Sequence, residues 1–168
     1  LFFVFCRDIS ERKRTQQELR LIGEVFRSTS EGILITDPEG IIVNVNKAYC
    51  DITGYRAEEV IGEKPSKIKS DRHDKTFYRE MWKSLRERGC WVGEIWDRRK
   101  SGEVFPKWLS INAIHDEDGL LTNYVGTFSD ISELKSIEQE LEQMAYHDPL
   151  TKLPNRVLFK DRLETEIA

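Results

Sequence analysis

Cysteine is scarce. Cys6, Cys50 and Cys90 are odd in number, widely spaced and without a CxxC pair, so neither a disulfide framework nor a zinc knuckle is expected. A reducing, cytoplasmic setting is the simplest expectation. Long hydrophobic runs are missing too. The apolar opening run, Leu1 to Cys6, falls far short of the roughly 20 residues a bilayer span needs, and it lacks the basic flank of a signal peptide. A membrane attachment elsewhere in a longer parent stays open. There is no excess of positive charge, with 26 Lys and Arg against 30 Asp and Glu, and no basic stripe interleaved with aromatics. Nucleic acid is therefore not an expected partner. The histidines, His73, His115 and His147, show no metal-ligand spacing, and no metal site is expected. Carboxylates are plentiful but none is set in a catalytic frame; Glu58-Glu59 reads as a helix face, and no catalytic residue is assigned.

What is present is enough for one core. A hydrophobic fraction of 39% with 10% aromatics supports packing, and 33% charged residues keep the exterior wet. The organisation is fixed by a repeat. Asp8-Ile9-Ser10-Glu11 recurs as Asp130-Ile131-Ser132-Glu133, Lys13 pairs with Lys135, and Gln17-Glu18-Leu19 pairs with Gln139-Glu140-Leu141. Each copy follows a strand-like apolar run and leads into a charged stretch without Gly or Pro, a pattern of strand, cap and helix. In the second helix Leu134, Ile137, Leu141 and Met144 are spaced as a short a/d seam; Thr15, Leu19, Ile22 and Phe26 keep a similar rhythm in the first. Two readings stand: an amphipathic helix lying on its own domain, or a parallel two-chain coiled coil. A helix on each side of one module favours the homodimer.

Between these helices the period changes. Gly32 to Thr36 and Ile41 to Val45 flank Asp37-Pro38-Glu39-Gly40, a hairpin with its turn residues in place. Asn46 is placed to cap a short helix stopped at Gly54, and Ala57 to Ile61 gives a second short turn. Asp74 to Arg88 carries Phe77, Met81, Trp82 and Leu85 on one stripe and ends at Gly89. Trp91 to Arg98, Val104 to Ile114 and Leu121 to Ser129 read as three antiparallel strands separated by turns. The expected fold class is α+β, an antiparallel sheet with helices gathered on one face and a small-molecule hollow between the layers.

Several of these segments resemble a known family, the PAS domain with its C-terminal PAC half. Thr53-Gly54-Tyr55 with Glu58-Glu59-Val60-Ile61-Gly62 is similar to the segment after the second strand. Met81-Trp82, Trp91-x-Gly93-Glu94, Arg98-Arg99-Lys100-x-Gly102-Glu103, Gly119, Val125-Gly126 and Asp130-Ile131-Ser132 resemble the variety found in bacterial cyclic di-GMP proteins. The resemblance implies a PAS fold with a five-stranded antiparallel sheet over about residues 22–134, flanked by a linker helix (11–30) and a signalling helix (132–147). It makes residues 1–10 the last strand and exit motif of a preceding PAS domain. Asp148-Pro149-Leu150-Thr151-Lys152-Leu153-Pro154-Asn155-Arg156 is similar to the opening of a GGDEF domain, the diguanylate cyclase fold, with Lys152 where Gly is frequent. Residues 148–168 would then be its start, without its metal-binding carboxylates or signature loop. The fragment is not expected to be an enzyme, whereas the parent is expected to be a diguanylate cyclase, with a following phosphodiesterase domain left open.

The same resemblance frames the ligand. The Asn-Cys-Arg motif of cysteinyl-adduct flavin sensors is absent, and Cys50 and Cys90 read as a core and a helix-end residue. Lys75 to Arg88 holds no histidine, which disfavours haem, although His73 lies just ahead of it. FAD or no cofactor at all remain, with Asn44, Trp91 and Asn112 expected to line the pocket. Arg72-His73-Asp74 admits either an anion contact or plain capping. Asp130, Ile131 and Ser132 are expected to couple the last strand to the exit helix, and the module would link an upstream PAS domain to the output.

Overall fold

The computed structural model describes residues 10–146, Leu153 and Asn155. The anticipated upstream strand and exit motif, and nearly all of the GGDEF-like segment, lie outside the described residues. The chain divides into two units between Ser129 and Asp130.

The helix α1 (Ser10–Ser28) opens the described chain, followed by strands β1 (Gly32–Thr36) and β2 (Ile42–Val45). Short helices α2 (Lys47–Thr53) and α3 (Ala57–Val60), a 3-10 turn (Pro65–Ile68) and the longer α4 (Lys75–Arg88) come next. Strands β3 (Cys90–Arg98), β4 (Val104–His115) and β5 (Leu121–Asp130) complete the sheet, and α5 (Ser132–Tyr146) follows. The order across the sheet is β2-β1-β5-β4-β3. This is the expected α+β architecture with a five-stranded antiparallel sheet.

Local chemistry explains the joints. The β1–β2 hairpin closes on Asp37, whose Oδ1 accepts the Ile41 N–H at 2.8 Å while Gly40 takes φ 78, the left-handed region a side chain resists. Asn46 is the chief fastener of the N-terminal half. It is 2% exposed; its Oδ1 accepts from the backbone of Tyr49 (2.9 Å) and Ile33 (2.8 Å), and its Nδ2 donates to the Glu31 carbonyl (2.8 Å). One amide thus caps α2 and fastens it to β1. Asp74 caps α4, its Oδ1 accepting the Phe77 N–H, and Gly89 ends that helix. Of Arg72-His73-Asp74, Asp74 is the cap, and the Arg72 guanidinium lies 3.8 Å from the Trp96 ring centroid.

Period-two alternation sets the core. Ile95 and Asp97 on β3, Phe105, Lys107 and Leu109 on β4 and Phe128 on β5 face the helices and are buried. Phe128 stands opposite Gly32 in the β1–β5 register, and a Cβ there would meet its ring at 2.3 Å, so glycine lets the ring cross β1. Each large apolar side chain fully buried in this layer stabilises the fold by roughly 1.5–3 kcal/mol.

Candidate functional site

Helices and sheet do not close completely. A cavity of about 430 Å³ lies between the 3-10 turn and α4 on one side and β1, β3, β4 and β5 on the other. The apolar part of its walls is built from Leu34, Ile68, Met81, Ile95, Leu109 and Ile111. Gly126 keeps it open, because a Cβ at that position would sit 2.8 Å from Leu34 Cδ2. Its size and mostly apolar lining with a few polar groups are those of a small-molecule site.

Of the polar residues in the lining, Glu39, Lys64, Ser66 and Lys69 are exposed, whereas Thr36, Asp97 and Lys107 are buried. Ile95 stands opposite Lys107 in the β3–β4 register, so Asp97, two residues on, is the diagonal neighbour of Lys107 on the same inward face. The Lys107 Nζ reaches Asp97 Oδ2 at 2.5 Å, with only 4% and 7% of the two side chains exposed. The ammonium also lies 4.3 Å from the Phe128 ring centroid. Tyr78 contributes a hydroxyl that is buried and has no hydrogen-bond partner. Burial pushes its phenol up to about 12, and the nearby carboxylates of Asp97 and Asp71 add to the shift. Tyr49, 1% exposed, packs edge-on against Phe128 and also has an unpartnered hydroxyl; burial holds its phenol well above the ordinary value, helped by Asp97.

The segment leading into α4 is strapped to β3 beside this cluster. Ser70 Oγ donates to the Trp96 carbonyl, and the Trp96 N–H donates to His73 Nε2 at 3.0 Å. The His73 ring stacks on Phe77 at 4.0 Å. No histidine and no cysteine lines the cavity, and the His73 nitrogen nearest a ligand role is already engaged by backbone. The lining thus offers haem no imidazole and offers a flavin adduct no thiol. Cys50 is half-buried against the core, its thiol pushed up by burial, and Cys90 is exposed at the start of β3.

The pocket residues expected from the sequence lie elsewhere. Asn44 is exposed on edge strand β2, opposite Ile35. Asn112 is exposed on β4, on the sheet face away from the helices, with its Nδ2 3.4 Å from Ser110 Oγ. Trp91 is half-buried on the inward face of β3 but beyond the cavity, edge-on to Phe77 at 5.8 Å. Strand alternation is the physical reason for the two asparagines, and position along the strand for the tryptophan. No amide side chain lines the cavity, so the FAD contacts anticipated from the sequence are not found there, and no flavin chemistry is assigned to it. The signal missed in the sequence was opposite charges at inward-facing positions of neighbouring strands, Asp97 and Lys107.

Asp130 ends β5, and its Oδ1 accepts the Ser132 N–H at 2.8 Å at the start of α5; Ile131 is the joint between them. On α5, Leu134, Ile137, Leu141 and Met144 are 55%, 48%, 58% and 62% exposed. Leu19 and Ile22 on α1 are each 65% exposed. At the far end of α5, Asn155 donates its backbone N–H to the Tyr146 carbonyl and its Nδ2 to the Ala145 carbonyl. Among the described residues no group of side chains could hold a metal ion, and no helix is long and apolar enough to cross a membrane.

Comparison with known proteins agrees with this architecture. The PAS domain family model matches residues 30–133. The chain belongs to the PAS domain family, whose members serve as sensory domains of signalling proteins. It is 29% identical over 127 residues to a nitrogen fixation regulatory protein of Klebsiella oxytoca, covering 76% of this chain and 26% of that protein. It is 32% identical over 130 residues to a bacterioopsin transcriptional activator of Halobacterium salinarum, covering 76% and 19%. The chain therefore spans about a quarter or less of these relatives. Among solved structures, the PAS domain of a Colwellia psychrerythraea protein superposes with a TM-score of 0.65 at 23% identity, covering 69% of this chain and 98% of that one.

Proposed function

We propose that this PAS domain is an input and relay module in cyclic di-GMP signalling. It receives a small molecule in the cavity, or a signal from an upstream PAS domain, and passes it through α5 to a GGDEF output. The observation that carries this reading is the double role of one strand. Tyr124 and Gly126 of β5 line the cavity, and six residues beyond Tyr124 the same strand ends at Asp130, which holds the start of α5. A ligand that moves β5 thus acts on the residue that sets the helix. The GGDEF output rests on the sequence from Asp148 to Arg156, and a dimeric linker on the exposed stripe of α5. Two cyclase domains must face one another to join two GTP molecules, so the geometry of such a dimer is a natural switch.

The test is identification of small molecules released when the purified chain is denatured, compared between wild type and a cavity-filling Gly126→Val chain. A compound released by the first and missing from the second supports the reading; no compound from either, with unchanged cyclic di-GMP synthesis by a parent carrying Gly126→Val, would sink the sensory role. A second reading, a ligand-free dimerisation coupler, is favoured by the exposed apolar residues on both α1 and α5. It predicts dimers that dissociate when residues 132–168 are removed, with no ligand found.

A further inference from the structure

We infer that the cavity selects an uncharged, largely apolar ring compound bearing a carbonyl-type acceptor, and that Asp97 and Lys107 are its specificity-determining residues. The inference rests on the reading of the cavity as a ligand site and deepens it.

Three features of the site lead there. First, the interior pole is electrically neutral but rich in donors. The ammonium of Lys107 carries three N–H groups; Asp97 is its ion-pair partner, and no further hydrogen bond is formed by Lys107 among the described residues. The Tyr78 hydroxyl adds another donor without a partner. Second, Asp97 cancels the charge of Lys107 at 2.5 Å, so a carboxylate brought to this pole would meet a carboxylate already there. An acceptor without charge, such as a conjugated carbonyl, can take the free donors without that repulsion. Third, the inner walls are mostly hydrocarbon and thioether, from Leu34, Ile68, Met81, Ile95, Leu109 and Ile111, which reward a ring, while the other charged residues of the lining, Glu39, Lys64 and Lys69, are exposed to solvent. Nothing in the packing of the fold requires such a pair. Well-packed apolar side chains of similar volume serve a core equally well, so a buried Asp–Lys pair facing a cavity is best explained by what it selects.

A matched series tests this: 9-fluorenone, fluorene and fluorene-9-carboxylate share one ring system and differ only in the group presented. Calorimetry on the whole chain should show fluorenone binding about tenfold or more tighter than fluorene, the gain expected of a hydrogen bond to a charged donor, with the carboxylate weaker than the ketone. Lys107→Met should abolish the preference for the ketone over fluorene. Asp97→Asn leaves the ammonium uncompensated and should move the preference toward the carboxylate. The ranking in wild type decides the matter even where a variant folds poorly. Equal or tighter binding of fluorene, or of the carboxylate, would overturn the ligand class while leaving the cavity a binding site. Binding of none of the three would overturn the ligand site itself.

Discussion

Replacing Lys107 by methionine strands the Asp97 carboxylate in a place where 7% of its side chain is exposed. The methionine fills most of the lysine stem's volume, so packing against Phe128 changes little and the cost is electrostatic. Breaking a buried pair from one side typically costs about 3–5 kcal/mol, a large part of the 5–15 kcal/mol that holds a domain together. The midpoint of thermal unfolding should fall by roughly 10 °C. Asp97→Leu alone should cost a similar amount, since it leaves the ammonium unpaired. The double variant Asp97→Leu/Lys107→Met should recover most of the loss and lie within about 1–2 kcal/mol of wild type, on either side. Urea unfolding of the four chains gives the coupling directly. Single variants costing under about 1 kcal/mol, or a double variant as unstable as the sum of the singles, would refute the claim that the two charges form one buried pair.

Asn46→Ala should destabilise by about 3 kcal/mol, because it removes the cap of α2 and leaves the Ile33 N–H and the Glu31 carbonyl without their partner; a loss below about 1 kcal/mol in urea unfolding contradicts this. Tyr49→Phe should be neutral or stabilising by about 1 kcal/mol, since it deletes a buried hydroxyl that has no partner to abandon. Phenolate absorbance should show Tyr49 and Tyr78 resisting ionisation in the folded chain. Folding raises both phenols, so their contribution to stability is complete below the ordinary value of about 10 and is lost as pH rises through about 12, where Tyr78 ionises; alkaline unfolding should therefore begin above pH 10, and ionisation of Tyr49 and Tyr78 at the ordinary value with no loss of structure would contradict it. Ile137→Glu/Leu141→Glu should convert a dimer to monomer in sedimentation, and an unaffected dimer removes the seam from the account.

Much of this fold was legible from one-dimensional rules because its joints are local. Asp37 and Gly40 in the hairpin, the cap that Asn46 places on α2, and Asp74 and Gly89 around α4 each act within four residues and stand where the capping and turn rules place them, whereas the tie of Asn46 to β1 does not follow from those rules. The sheet order was not legible in the same way. It depends on β5 returning between β1 and β4, a pairing of Gly32 with Phe128 that no local pattern encodes. The site was the least legible part. Side-chain type alone points to Asn44, Trp91 and Asn112, whereas the cavity is defined by which inward-facing positions meet across strands. Strand alternation places Trp91, Gly93, Ile95 and Asp97 on one face of β3. The 3-10 turn from Pro65 to Ile68 and the His73 strap lie in a polar stretch without periodicity, and their roles come only from contact with β3.

Coupling of the cavity to α5 is tested most directly by residue-resolved amide hydrogen exchange in wild type and in the Asp97→Leu/Lys107→Met chain, where the perturbation is confined to the cavity and stability is nearly matched. The account predicts altered protection along β5 from Tyr124 to Phe128 and, in the same variant, in the first turn of α5 from Ser132 to Lys135. Altered protection confined to the cavity walls, with that first turn unchanged, would contradict it.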